Sequence, residues 1–217
     1  MGEMFKYGII YHNIMVLNRN ILNLSLKEKV LKYLIENKEK PITIRQISQD
    51  LKVDYKNTFQ IVSDISDLIS KEKFGNTNMI RIKLIISQEI FSVENKRKSQ
   101  FLKENKQLEL VKKDIEGISY PFIIVLIFGS YAKKTQTKKS DIDLCIICDN
   151  EEKTKKLTLK LGLLPIKLEI HDFTTDEFEQ MLKTNENNVA KEIVKNNVIL
   201  YGIESYYNLI SKWMKKE

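Results

Sequence analysis

The sequence predicts an α+β chain in two parts: a helical N-terminal half closed by a hairpin, and a C-terminal α/β half built on a small mixed sheet. Two observations carry this. Up to residue 84, apolar residues recur at helical spacing behind capping residues and end in an alternating run. Beyond Gly117 they gather instead into short runs of strand length, Phe122 to Phe128 and Asp141 to Cys148. The 217 residues suffice for two small cores. The division expected is an arm at 1–24, a helical domain at 25–87, a helical connector at 88–116 and an α/β domain at 117–217.

Residues 1–24 mix apolar and polar side chains without a period and are read only as a strand or arm. Ser25 and Glu28 then stand in capping-box spacing ahead of Leu26, Val30, Leu31 and Leu34 on one helical face, ending near Asn37. Pro41 breaks the chain. Thr43 and Gln46 repeat the capping spacing before Ile44, Ile47 and Leu51, which predicts a second, short helix. Asp54 caps a third that presents Phe59, Val62, Ile65, Leu68 and Ile69 inward and leaves Lys56, Asn57, Gln60 and Asp64 outward. Lys73-Phe74, a turn at Gly75 to Asn78 and the alternating Ile80 to Leu84 complete a hairpin. Three helices and a hairpin spell a winged helix.

The segment from Gln88 to Ile115 is charged and helical in pattern, with Phe91, Phe101, Leu102, Leu108 and Val111 as its apolar contacts. After the two strands, a basic stretch carries no clear signal, and Lys167 to Phe173 reads as a third strand. Helices are expected over Thr175 to Lys183, Asn188 to Lys195 and Ile203 to Lys215.

A net charge of +7 fits a polyanionic partner, nucleic acid or a triphosphate, without separating the two. Most of the excess falls before Tyr120, which makes the front half the better candidate for touching nucleic acid. Cys145 and Cys148 fall on opposite faces of a strand with no second pair to complete a zinc site, so buried thiols in a cytoplasmic protein are expected. Neither a membrane span nor a secretory leader is read from the sequence.

The chemistry centres on two places. Asp141 and Asp143, two apart in a strand, present their carboxylates to the same side, where a hard cation such as Mg2+, or Mn2+, relieves their repulsion. Phe128-Gly129-Ser130 closes an apolar strand with a residue that lets backbone approach a ligand and one that offers a hydroxyl and an amide. Together they point to a metal-bound nucleotide.

Gly129-Ser130-Tyr131-Ala132 followed by Ser140-Asp141-Ile142-Asp143-Leu144 resembles the signature of the DNA polymerase beta-like nucleotidyltransferases, most closely the minimal members. The resemblance implies that Gly129 and Ser130 hold the triphosphate of an NTP substrate and that Asp141 and Asp143 bind the metal. It also implies a third acid from a neighbouring strand. Lys167, Glu169 and His171 share one face of that strand, which makes Glu169 the natural third ligand and base, with Asp172 on the opposite face. His171 is read as a satisfied polar-face residue. Lys134 departs from the pattern, since many members carry Gly there.

The N-terminal half is similar to winged-helix regulators. By that likeness Lys56, Asn57, Thr58 and Gln60 face a DNA major groove, with Lys73 and Arg81 near the wing and phosphates, and a homodimer follows by analogy alone. The function expected is metal-dependent transfer of a nucleoside monophosphate from an NTP to a hydroxyl acceptor, coupled to a DNA-binding winged helix. The alternatives are a regulator whose transferase-like domain is inactive or senses nucleotide, and an antitoxin-like protein acting on a toxin partner.

Overall fold

A computed structural model describes residues 24–75, 77–118 and 120–214, with side chains through residue 211. The arm expected over 1–24 lies, apart from Leu24, outside the described residues.

Helix α1 (Leu26–Glu36) begins at the capping box read from the sequence: Ser25 accepts from the Glu28 amide and Glu28 accepts from the Ser25 amide. It buries Val30, Leu31, Leu34 and Ile35. Helix α2 (Ile44–Leu51) starts where Thr43 Oγ1 accepts from the Gln46 amide at 3.1 Å. It stops at Lys52, a left-handed cap at φ +53°.

Helix α3 (Tyr55–Asp64) is shorter and rotated relative to the expectation. Its buried stripe is Thr58, Val62 and, at the cap, Ile65. Phe59, expected inward, lies one residue and so about 100° off that stripe and is 53% exposed. Leu68 and Ile69 are not helical: a 3₁₀ turn covers Ser66–Leu68, and Ile69 opens strand β1 (Ile69–Phe74) opposite Ile82. The β-branched Ile69 gains a cross-strand partner there that a fourth helical turn does not offer. Strand β2 (Thr77–Ile82) runs antiparallel to β1, and its Ile80 also bridges Ile42 just ahead of α2. The hairpin thus closes on the helices.

Residues 88–116 are helical, as the pattern predicts, but divide into α4 (Gln88–Glu104) and α5 (Leu108–Glu116). A four-stranded sheet follows, in the order β5, β4, β3, β6, from β3 (Ile124–Ile127), β4 (Ile142–Ile147), β5 (Leu168–Phe173) and β6 (Val198–Tyr201). β3 is antiparallel to β4 and β6, whereas β4 and β5 are parallel, so the sheet is mixed. The parallel pair needs a crossover, and the basic stretch without a clear signal supplies it as helix α7 (Glu151–Gly162). The short α6 (Gly129–Ala132) sits between β3 and β4, while α8 (Thr175–Lys183), α9 (Val189–Lys195) and α10 (Ile203–Met214) occupy the helical runs read near the C-terminus. β6 is a fourth strand beyond the three that the sequence predicts.

Alternation along the strands sorts the core into two layers. Ile124, Leu126, Phe128, Cys145 and Ile147 face α8, α9 and α10 and join one apolar cluster that continues into α1, α2 and α3. Val125, Ile127, Leu144, Ile146 and Cys148 face α5 and α7. Helix α4 contributes to both, Ile90 and Val93 to the first and Phe101 and Leu102 to the second. The two thiols are buried in opposite layers, as expected. Among the described residues no helix is long and apolar enough to cross a membrane.

Candidate active site

The site is built on the parallel pair β4 and β5. Their register sets Asp143 beside Glu169 and Cys145 beside His171. Because alternate residues share a face, Asp143, Glu169 and His171 converge, each with one ligand atom, within 4.8 Å of one another. His171 Nε2 lies 3.3 Å from Glu169 Oε1, and its ring packs edge-on against Phe128 at 5.3 Å.

The end of β3 closes on this cluster. Phe128 donates its amide to the Asp143 carbonyl at 3.0 Å, and Gly129 follows at φ +63°. A Cβ on Gly129 would overlap the Asp143 carboxylate, so the close approach needs glycine twice, for the space and for the left-handed backbone. The Asp143 carboxyl is held above its ordinary pKa by burial first and by the neighbouring Glu169 charge second. The Ser130 amide and His171 offset part of that rise. Two mutually repelling carboxylates form a donor pair that a hard divalent cation such as Mg2+ or Mn2+ fits, while the imidazole beside them is better placed to orient Glu169 than to ligate Mg2+.

Asp141 stands exposed one residue before β4, outside the strand and outside the three-residue cluster. In the loop between α6 and β4, Lys134 adopts φ +57°, the conformation a glycine would favour at that departure from the family pattern. Lys133 pairs with Glu192 at 2.6 Å and Lys134 with Glu104 at 3.9 Å, so neither ammonium is committed to the cluster.

Residues 119–206 match the profile of the polymerase beta nucleotidyltransferase family. A protein of Methanocaldococcus jannaschii, provisionally named a protein adenylyltransferase, is 31% identical over 98 residues, 43% of this chain and 70% of that protein. The chain belongs to the polymerase beta nucleotidyltransferase family. A solved structure described as a toxin–antitoxin with AMP-PNP aligns over 48% of this chain and 84% of its own, at 19% identity and a TM-score of 0.33.

Within this family member the structure unites Asp143 with Glu169 and sets Gly129 and Ser130 against them. It also adds His171, which reading by residue type set aside although its spacing from Glu169 places it on the same face. In the N-terminal half Lys56, Asn57, Gln60 and Lys73 are exposed, while Arg81 is half-buried and 3.8 Å from Glu72. Thr58 is a correction: it is fully buried and its hydroxyl donates to the Asp54 carbonyl at 2.9 Å, so it cannot face a groove.

Proposed function

We propose that this nucleotidyltransferase-family chain moves an adenylyl group from ATP to a hydroxyl of a protein acceptor. The observation that carries the reading is the approach of Gly129 and Ser130 to the Asp143 carboxylate, next to Glu169. The name given to the M. jannaschii relative supports adenine as the base and a protein as the acceptor.

Asp143 and Glu169 would hold Mg2+ or Mn2+, joined by Asp141 from just before β4 as the family resemblance implies, and the ion when bound would supply charge stabilisation to the phosphate oxygens. The backbone at Gly129 and Ser130, held against the Asp143 carboxylate, would seat the triphosphate beside the metal ligands, with the Ser130 hydroxyl as a further donor. Glu169, exposed at the edge of the sheet, receives the proton of the acceptor hydroxyl. The acceptor oxygen bonds to the α-phosphorus, the bond to the bridging oxygen breaks, and pyrophosphate leaves. His171, within reach of Glu169, orients that carboxylate.

Residues 25–87 form the winged-helix unit in this reading, and its exposed Lys56, Asn57 and Gln60 on α3, with Lys73 on β1, contact DNA. The hairpin closed on the helices through the Ile42–Ile80 bridge supports this assignment. Replacing Lys56 and Asn57 by Ala is expected to weaken DNA binding and reduce its salt dependence; unchanged affinity would remove α3 as the DNA-reading element.

Label transfer tests the transferase reading. With a lysate of the source cells and Mg2+, ATP labelled at the α-phosphate should leave label on protein, ATP labelled at the γ-phosphate should not, and Asp143→Asn should abolish the signal. Transfer from the γ position, or label that survives Asp143→Asn, would sink the proposal.

A further inference from the structure

A cavity of about 240 Å³ lies where the end of α1, the middle of α4, the loop after α6 and the turn between α9 and β6 meet. Neither Asp143, Glu169 nor His171 lines it, so it is separate from the cluster on β4 and β5. Six cationic side chains reach its wall against two acids, Glu36 and Glu104, and two more acids outside the lining, Glu94 and Glu192, pair with Arg97 and Lys133, which leaves an excess of two positive charges.

Most of these cations are already engaged. Lys32 bonds Gln100 at 2.6 Å, Arg97 bonds Glu94 and the Asn197 carbonyl, Lys133 pairs with Glu192, and Lys134 with Glu104. Lys38 differs from them. Its side chain is only 8% exposed, and among the described residues its ammonium has no hydrogen bond or ion pair and meets only the open cavity. Beside it Arg97 Nε is buried without a hydrogen-bond partner, coming no closer than 3.6 Å to Glu36. An ammonium at the cavity wall without an acceptor, with a buried Arg97 Nε lacking a hydrogen bond beside it, marks the cavity as a place where an acceptor belongs.

We infer that this cavity binds a small phosphate-bearing anion, anchored by the Lys38 ammonium, with the Arg97 guanidinium beside it adding positive charge while it stays bonded to Glu94 and Asn197. The charge excess selects a multiply charged phosphate chain over a single carboxylate. Through Lys133 and Lys134 the ligand also touches the loop that leaves Gly129 and Ser130, which joins its occupancy to the shape of that loop.

Calorimetric titration of the full chain with inorganic pyrophosphate and, separately, with ADP tests this, both in EDTA so that no metal–nucleotide complex forms. The two arms distinguish a bare phosphate chain from one carried on a nucleoside. At least one should bind to wild type, at least about tenfold more weakly to Lys38→Met, and unchanged to Asp143→Asn. Lys38→Arg, which keeps the charge, should largely restore the affinity. Methionine fills the buried stem without its charge, and burial already pushes the Lys38 pKa down to about 8, so the variant is expected to fold; its melting temperature checks this. Failure of both ligands to bind wild type, equal affinity in Lys38→Met, or loss in Asp143→Asn instead would overturn the assignment.

Discussion

Gly129 carries two constraints in one residue, a φ of +63° and a missing Cβ that leaves room for the Asp143 carboxylate. Gly129→Ala should therefore destabilise the fold by roughly 1–3 kcal/mol and lower Mg-ATP affinity together, because the side chain it adds displaces the carboxylate as well as straining the backbone. Denaturant unfolding and calorimetry on the same variant would show both losses; a loss of neither would mean that the approach seen here is not needed. Lys134 poses the converse case. It holds φ +57° with a side chain whose Cβ is unwelcome there, so Lys134→Gly should gain about 0.5–1 kcal/mol once the flexibility of unfolded glycine is allowed for. A lower midpoint in denaturant would contradict that reading.

Lys38 gives the residue scale a pH signature. Burial lowers its pKa from 10.5 to about 8, with Arg97 adding to the fall and Glu94, Glu39 and Glu36 opposing it. The folded chain then releases this proton before the unfolded chain does. Between about pH 8 and 10.5 the unfolded state binds more protons at this group, so its contribution to stability rises with pH and is lost as pH falls back through 8. The slope is at most about 1.4 kcal/mol per pH unit. Other groups titrate in that window, so the test is the difference between wild type and Lys38→Met, whose curve should be flatter by that amount; parallel curves would show that Lys38 is not desolvated.

At the scale of elements, α4 carries an ion pair that is buried rather than displayed. Glu94 is 1% and Arg97 8% exposed; Tyr207 donates to Glu94 at 2.8 Å, and Asn197 donates to Tyr206 at 2.7 Å. Removing one partner strands a charge, so Arg97→Met should cost about 3–5 kcal/mol. Changing both, as Glu94→Gln with Arg97→Met, should recover most of that, and a double variant as unstable as the single would show that packing, not charge, is at stake. Nothing in the α4 sequence announces this, because Glu and Arg three apart look the same on a solvated face. Legibility followed the strength of the local signal elsewhere too. The Ser25–Glu28 box and the Asp54 cap predicted where helices begin, and alternation along β5 put Glu169 and His171 together. Phe59 fits an inward stripe by residue type, whereas the helix turns Thr58, Val62 and Ile65 inward instead. β6 has four residues, too few to show a period, and its strand state comes from pairing with β3.

For the whole molecule, the apolar cluster under α1, α2 and α3 is the same one that lines the sheet against α8, α9 and α10, and α4 reaches from it into the layer on the opposite side of the sheet. Cooperativity follows the contacts that cross between parts, since an interface that buries a shared core makes the unfolding of one part expose the other. Leu34 on α1 is 1% exposed and Ile193 on α9 fully buried, both in this cluster though far apart in sequence. Leu34→Ala and Ile193→Ala should each cost about 2–5 kcal/mol, and each should move one common unfolding transition seen by both calorimetry and circular dichroism. Two transitions, with each variant shifting only its own, would show instead that the shared cluster does not couple the halves, and that the N-terminal helices can loosen while the site on β4 and β5 stays formed.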